Sequence, residues 1–261
     1  MKTSIKLVFA CLICQLLGGL IAAPIGMLLS YFQTGEVDQV LMMDYTMPLA
    51  MVIQFALMVL YIGRRGYLTG DSRLYAPVKM TYLAAVLVTG IGAIFLEDEL
   101  LRLLQMPDWM EASFEQVYGS WLGIFCVTIL GPIVEELLFR GAVAKELLRK
   151  FNPATAIAIS GLLFGLIHLN PAQVLGASLI GILLAWLYWR TGSLIPCMVL
   201  HIFNNALSVW FSKSYPECEH FRDFFTEGSY LVVLGVAVVA LLGGLHLLWH
   251  TKEPIADYEI K

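Results

Sequence analysis

Long apolar runs separated by short polar breaks dominate this chain. They fall at residues 7–32, 46–63, 78–96, 119–149, 153–169, 172–189, 194–212 and 229–250. A helix needs about 20 apolar residues to cross the hydrocarbon core of a bilayer, so each run predicts a span. No stretch alternates apolar and polar residues with period two, which argues against a β-barrel. The pattern predicts an all-α, polytopic integral membrane helical bundle of about eight transmembrane helices, with seven as the lower count. The fourth run is the longest and is interrupted by charge, so it reads as one span with a cytoplasmic extension. Residues 97–118 read either as an amphipathic helix on the outer surface, anchored by Trp109, or as a solvated loop. No repeat or low-complexity linker divides the chain, so 1–261 reads as a single membrane domain, with N-terminal spans in 1–96 and a C-terminal span at 229–250.

Composition narrows the class. The chain is 59% hydrophobic and only 14% charged, and its mean hydropathy is +0.78. Soluble domains carry about 25% charged residues, because their surface must be wetted. A soluble enzyme and a disordered protein are excluded, and with a net charge of −4 a nucleic-acid partner is not expected.

Charge placement then tests the span count. With a cytoplasmic N-terminus and eight spans, 13 of the 16 basic residues fall inside, among them Lys2, Lys6, Arg64, Arg65, Arg73, Lys252 and Lys261. Only Arg102, Lys213 and Arg222 fall outside, where 13 of the 20 acidic residues collect. That asymmetry follows the positive-inside bias and predicts both termini in the cytoplasm. The size and the lack of a soluble domain point to a bacterial inner membrane. A competing reading makes residues 1–23 a secretory leader, with Lys2 and Lys6 at its start and Ala22-Ala23 near its end. The apolar run continues to Leu29, which favours a retained helix. Cys11 and Cys14 form a C-x-x-C inside an apolar span and read as small lipid-compatible residues. Cys218 stands alone outside, so no disulfide framework follows.

Ionisable residues inside apolar helices cost about 2.5–3.5 kcal/mol each at mid-helix, so they need a partner or a purpose. Here they are few. The fourth span carries Glu135, Glu136 and Arg140, the fifth His168, and the seventh His201 with Asn204 and Asn205. Glu136 and Arg140 are four apart, one above the other on a helix face, as an ion pair requires. Glu135 lies about 100° round the helix, away from that partner. His201 and Asn205 also share a face. Gly161 and Gly165 form a G-x-x-x-G that permits close helix approach beside Phe164 and His168.

A single buried polar residue is often only a hydrogen-bonding strut between helices. Two acids, an arginine, two histidines and an asparagine on three helices point instead to a reaction site or a proton pathway. A carboxylate without a cationic partner suits general-base duty, and an opposing histidine could share its water. No serine or cysteine stands among these groups, since Ser160 and Cys197 are two turns and one turn from a histidine. Activated-water hydrolysis is therefore favoured over a covalent nucleophile. Two histidines and a glutamate also form a recognised zinc shell, although H-E-x-x-H is absent. The sequence leaves a divalent metal, or none, open.

Three motifs carry a resemblance. EELLFRG (Glu135–Gly141), FGLIH (Phe164–His168) and HIFNN (His201–Asn205) resemble E-E-x-x-x-R, F-x-x-x-H and H-x-x-x-N of the CPBP family, in that order. That family comprises the type II CAAX prenyl endopeptidases and the bacteriocin-processing or immunity membrane proteases, also called Abi. WRTGSLIP (Trp189–Pro196) also looks like the family's loop between spans. The resemblance covers about 119–210, which would be the catalytic core. It implies an intramembrane endopeptidase in which Glu135 activates water and His168 assists. His201 and Asn205 would stabilise the oxyanion, with Glu136 and Arg140 supporting the site. The implied substrates are membrane-embedded or lipidated peptides in the bilayer, such as CAAX tails, bacteriocin leaders or signalling peptides. The alternative is a non-enzymatic membrane protein, an immunity scaffold or a proton-coupled transporter, using the same residues as a relay. With straight helices, His168 falls near the outer end of its span and His201 nearer the inner side, a mismatch that tilted or broken helices would resolve.

Overall fold

A computed structural model describes residues 1–69 and 74–251. Arg73, Lys252 and Lys261, assigned above to the inner side, lie outside the described residues, as does the C-terminus. Every regular element among the described residues is helical. In order they are α1 (Lys2–Thr34), α2 (Gln39–Arg64), α3 (Met80–Leu104), α4 (Glu111–Tyr118), α5 (Trp121–Leu148), α6 (Pro153–Leu166), α7 (Pro171–Thr191), α8 (Ile195–Ser214) and α9 (Glu227–His250), with a single-turn 3-10 helix at Phe221–Phe224. The protein is an integral membrane helical bundle.

Seven of these helices are long and apolar enough to cross a membrane. The exceptions are α4, with 8 residues, and α6, whose 14 residues span about 21 Å against a hydrocarbon core of about 30 Å. The eight predicted spans are thus seven long helices and one short one. Local chemistry sets its ends. Asn152 Oδ1 accepts from the Thr155 N–H at 3.0 Å, and Pro153 occupies the first turn, where its missing N–H costs nothing. At the other end Leu169 takes a left-handed backbone, φ +56°, and Pro171 opens the next helix.

Residues 97–118 divide rather than forming one surface helix. Glu97–Leu104 continue α3, and only Glu111–Tyr118 make a separate short helix. Asp98 and Glu99 stay helical because they find partners on other elements, described below. Residues 1–23 form part of one continuous helix, α1, which pairs with α2.

Burial locates the centre of the bundle. Half of the apolar window of α5 is buried, against 17% for α1 and α9. The α6–α7 hairpin packs closely beside it because Gly161 and Gly165 lack side chains. A Cβ on Gly161 would lie 2.7 Å from the Ile182 nitrogen, and one on Gly165 would lie 2.4 Å from the Val174 oxygen. The G-x-x-x-G therefore brings two backbones into contact, as its spacing predicts.

Candidate active site

The central helix is irregular on both sides of the paired glutamates. Pro132 has no N–H, and its ring would meet the carbonyl of the residue four back in a regular helix. The chain answers with a π-helical turn over Cys126–Leu130, and a second covers Phe139–Ala144. Gly131 makes the first turn possible, since a Cβ there would sit 2.8 Å from the Cys126 oxygen. Such insertions recur at functional sites because they free backbone groups and re-aim side chains.

Between the two turns, Glu136 is the hub. Its Oε1 accepts from Arg140 Nη1 at 2.7 Å and from His201 Nδ1 at 2.8 Å. Both Glu136 and Arg140 side chains are fully buried. Arg140 Nη2 also donates to the Gly181 carbonyl at 3.0 Å, and its guanidinium lies 4.5 Å over the Phe164 ring. One arginine thus ties α5 to α6 and α7 through charge, hydrogen bond and ring face. The ion pair that the i,i+4 spacing predicts is present.

Glu135 has a different environment. Its side chain is 22% exposed, and His201 stands beside it, with Nε2 3.6 Å from Oε2. Because Nδ1 of His201 faces a carboxylate that only accepts, Nδ1 carries the proton and Nε2 is turned towards Glu135. A single imidazole therefore stands between the two adjacent glutamates.

His168 and His201 meet around Phe164, whose ring centroid is 5.3 Å from one imidazole and 5.5 Å from the other. The mismatch in depth disappears because α6 is short. His168 Nδ1 donates to the Phe164 carbonyl at 3.0 Å, so the neutral ring presents Nε2 as an acceptor. Asn205 Nδ2 donates to the Val127 carbonyl at 2.9 Å, and its Oδ1 accepts from Asn204 at 3.1 Å. That leaves Asn205 a second N–H. Cys197 donates its thiol to the Leu184 carbonyl at 3.2 Å, away from these groups.

The donor set is not arranged as a metal shell. Among the described residues no three His, Cys, Asp or Glu side chains converge in metal-holding geometry. His201 Nδ1 and His168 Nδ1 are already committed to Glu136 and Phe164.

Sequence reasoning missed the strap over the His168 turn. Asn170 is completely buried; its Oδ1 accepts from the Trp109 N–H and its Nδ2 donates to Asp108 Oδ1, both at 2.9 Å. The Ala172 N–H donates to the Pro107 carbonyl at 3.2 Å. The loop after α3 thereby holds the turn carrying His168. An asparagine before proline reads as a helix cap, which hides this longer reach.

Comparison with known proteins bears on this region. Residues 117–207 match the family model described as "Type II CAAX prenyl endopeptidase Rce1-like". Over those residues the chain is similar to that family. The matched segment contains Glu135, Glu136, Arg140, His168, His201 and Asn205, and it runs from the end of α4 into α8. A protein of Bacillus subtilis (strain 168), named "Putative membrane peptidase YdiL", is 29% identical over 137 residues, which is 52% of each chain. The chain thus spans about half the length of that curated relative in the matched region. No solved structure matches. Both matches support the CAAX-protease-like family that the three motifs resemble.

Proposed function

We propose that the protein is an intramembrane endopeptidase that hydrolyses peptide bonds with water activated by Glu135. The observation that carries this reading is the imidazole of His201 held between two adjacent carboxylates, 2.8 Å from Glu136 and 3.6 Å from Glu135. Glu136 is held through its Oε1 by Arg140 and His201, whereas Glu135 is partly exposed and accepts no hydrogen bond among the described residues. One carboxylate holds the site and the other is free to act.

In the proposed reaction Glu135 removes a proton from water as its oxygen attacks the peptide carbonyl carbon. The oxyanion is stabilised by the second Asn205 N–H and by the His201 imidazole; one such donor is typically worth about 2.7–4 kcal/mol. Collapse of the intermediate breaks the C–N bond. The leaving nitrogen then gains its proton through His168, whose Nε2 faces away from the Phe164 bond and can relay it. The catalytic core lies in 119–210, in a cytoplasmic membrane with both termini inside. Its substrates are membrane-associated or lipidated peptides, CAAX-type or of the bacteriocin or signal-peptide kind. Whether a divalent metal such as zinc assists is open to direct test: chelator treatment followed by re-addition of zinc changes activity only if one does.

Purified protein in lipid should cleave a membrane peptide library at defined positions. Glu135→Gln and His168→Ala should each lower kcat at least about 10²-fold without changing the unfolding temperature. Full activity in both variants overturns the mechanism. Absence of cleavage by the wild type, with solute uptake by the same vesicles, would replace the peptidase with a carrier.

A further inference from the structure

Backbone accounting around the first π-helical turn identifies a residue with a role beyond bending the helix. In a π-helix each carbonyl accepts from the N–H five residues on, and in an α-helix from the fourth. The Gly131 N–H, the α-helical partner of Val127, is taken by the Cys126 carbonyl instead. The next donor in the π register is residue 132, and it is a proline with no N–H. The Val127 carbonyl is therefore left without a donor from its own helix. A carbonyl in that state is open to another partner, and the one it has is the side-chain amide of Asn205, 2.9 Å away on α8 in a part-buried setting.

We propose that Pro132 is a positioning residue for the active site: by withholding its N–H it keeps the Val127 carbonyl open, and that carbonyl orients the Asn205 amide. The amide is planar, so fixing one N–H on Val127 fixes the direction of the other. Asn204 completes the arrangement by donating to Asn205 Oδ1, which settles which end of the amide is nitrogen. With any other residue at 132 the backbone supplies a competing donor in the register that Gly131 has already set. The Asn205 amide then loses its anchor while every side chain of the site is still present.

The catalytic consequence rests on the reading of Asn205 given under Proposed function, but the orientation does not, so the two are tested separately. The chain contains only four asparagines, at 152, 170, 204 and 205. Selective ¹⁵N-asparagine labelling of the full protein in detergent or nanodiscs therefore gives four side-chain amide pairs, assignable by single substitutions. In Pro132→Ala the Asn205 pair should shift and exchange its protons with water about 10-fold faster or more, while the Asn152 and Asn170 pairs stay put. An unchanged Asn205 pair in Pro132→Ala overturns the proposal, whatever the protein's activity. If Pro132→Ala does not fold, replacing Thr128 by its α-hydroxy analogue turns the 127–128 amide into an ester. That weakens the Val127 carbonyl as an acceptor with Pro132 kept, and it must move the same pair.

In the peptidase assay Pro132→Ala should lower kcat about 10-fold with KM unchanged, a fraction of the loss expected for a whole oxyanion donor. In an Asn205→Ala background the same change should cost nothing further, since the two act on one donor. Independent, multiplying losses would assign Pro132 to helix shape alone. A shifted Asn205 pair with kcat unaltered would uphold the orientation and remove Asn205 from the oxyanion site.

Discussion

The molecule holds the same kind of side chains in two places and treats them oppositely. At the centre, Glu136, Arg140 and His201 are at most 5% exposed and share one carboxylate oxygen. At the C-terminal end of α3, Glu99 pairs with Arg102 at 2.7 Å and accepts from Tyr230, while Asp98 accepts from His220 Nδ1 and the Phe221 N–H. There the side chains are 14–30% exposed. Distances are nearly identical; the surroundings are not. In low dielectric a charge left alone is costly, so the central set must be made or broken as a unit. At the rim, water substitutes for a lost partner. The rim network fastens the 217–230 segment to α3, and the central one ties three helices together beside Glu135.

The largest expected effect comes from breaking the buried set. Arg140→Ala leaves Glu136 as a buried carboxylate with His201 as its one partner, and should destabilise the protein by about 3–5 kcal/mol. Loss of folded protein in detergent, read by thermal unfolding, is the check. Arg140→Lys should recover little, since one ammonium cannot serve the Glu136 oxygen and the Gly181 carbonyl while its face rests on Phe164. A variant as stable as wild type would mean that the charges are not buried as described.

Next in size is the strap that joins the two regions. Asn170→Ala removes the acceptor of the Trp109 N–H and the donor to Asp108, both on exposed residues that water can reach, at a net cost of about 0.5–1.5 kcal/mol per hydrogen bond. Because Asn170 sits two residues from His168, kcat should fall as well, whereas Asp108→Asn should be milder. Equal unfolding temperatures for Asn170→Ala and wild type would show that the loop does not secure the turn.

These contrasts explain what the sequence could and could not reveal. The helices followed from apolar runs, because lipid forces every backbone group to be satisfied within its own segment; their ends did not, since α2 already begins at Gln39 and α3 continues to Leu104. The six polar site residues stood out because each is expensive among apolar neighbours. Their pairing was half legible: Glu136 with Arg140 follows from helical spacing, while His201 lying between Glu135 and Glu136 depends on how α8 packs. The length of α6 was obscured, since Ile167, His168 and Leu169 extend an apolar run that the backbone has already left. The strap and the open Val127 carbonyl were invisible, because each pairs residues more than 60 positions apart through a backbone group.

A smaller effect is expected from Asp98→Ala, which removes the His220 contact and the acceptor of the Phe221 N–H. It should cost about 1 kcal/mol and leave kcat alone, with the loss shrinking as salt rises. Proteolysis of the 217–230 segment would report it better than global unfolding.

The smallest effect is the most diagnostic for the comparison. Arg102→Gln should leave unfolding and activity where they are, because a half-wetted pair contributes little net energy and both ends can turn to water. Exchanging the charges sharpens the point. Glu99→Arg with Arg102→Glu keeps an i,i+3 pair at the rim and should behave like wild type. Glu136→Arg with Arg140→Glu keeps an i,i+4 pair at the centre but places a guanidinium against His201 Nδ1–H and a carboxylate against the Gly181 carbonyl. The central exchange should therefore fail to fold even though its formal charge is conserved. If both exchanges were tolerated alike, pairing alone would account for the two networks, and the distinct partners of Glu136 would carry no weight.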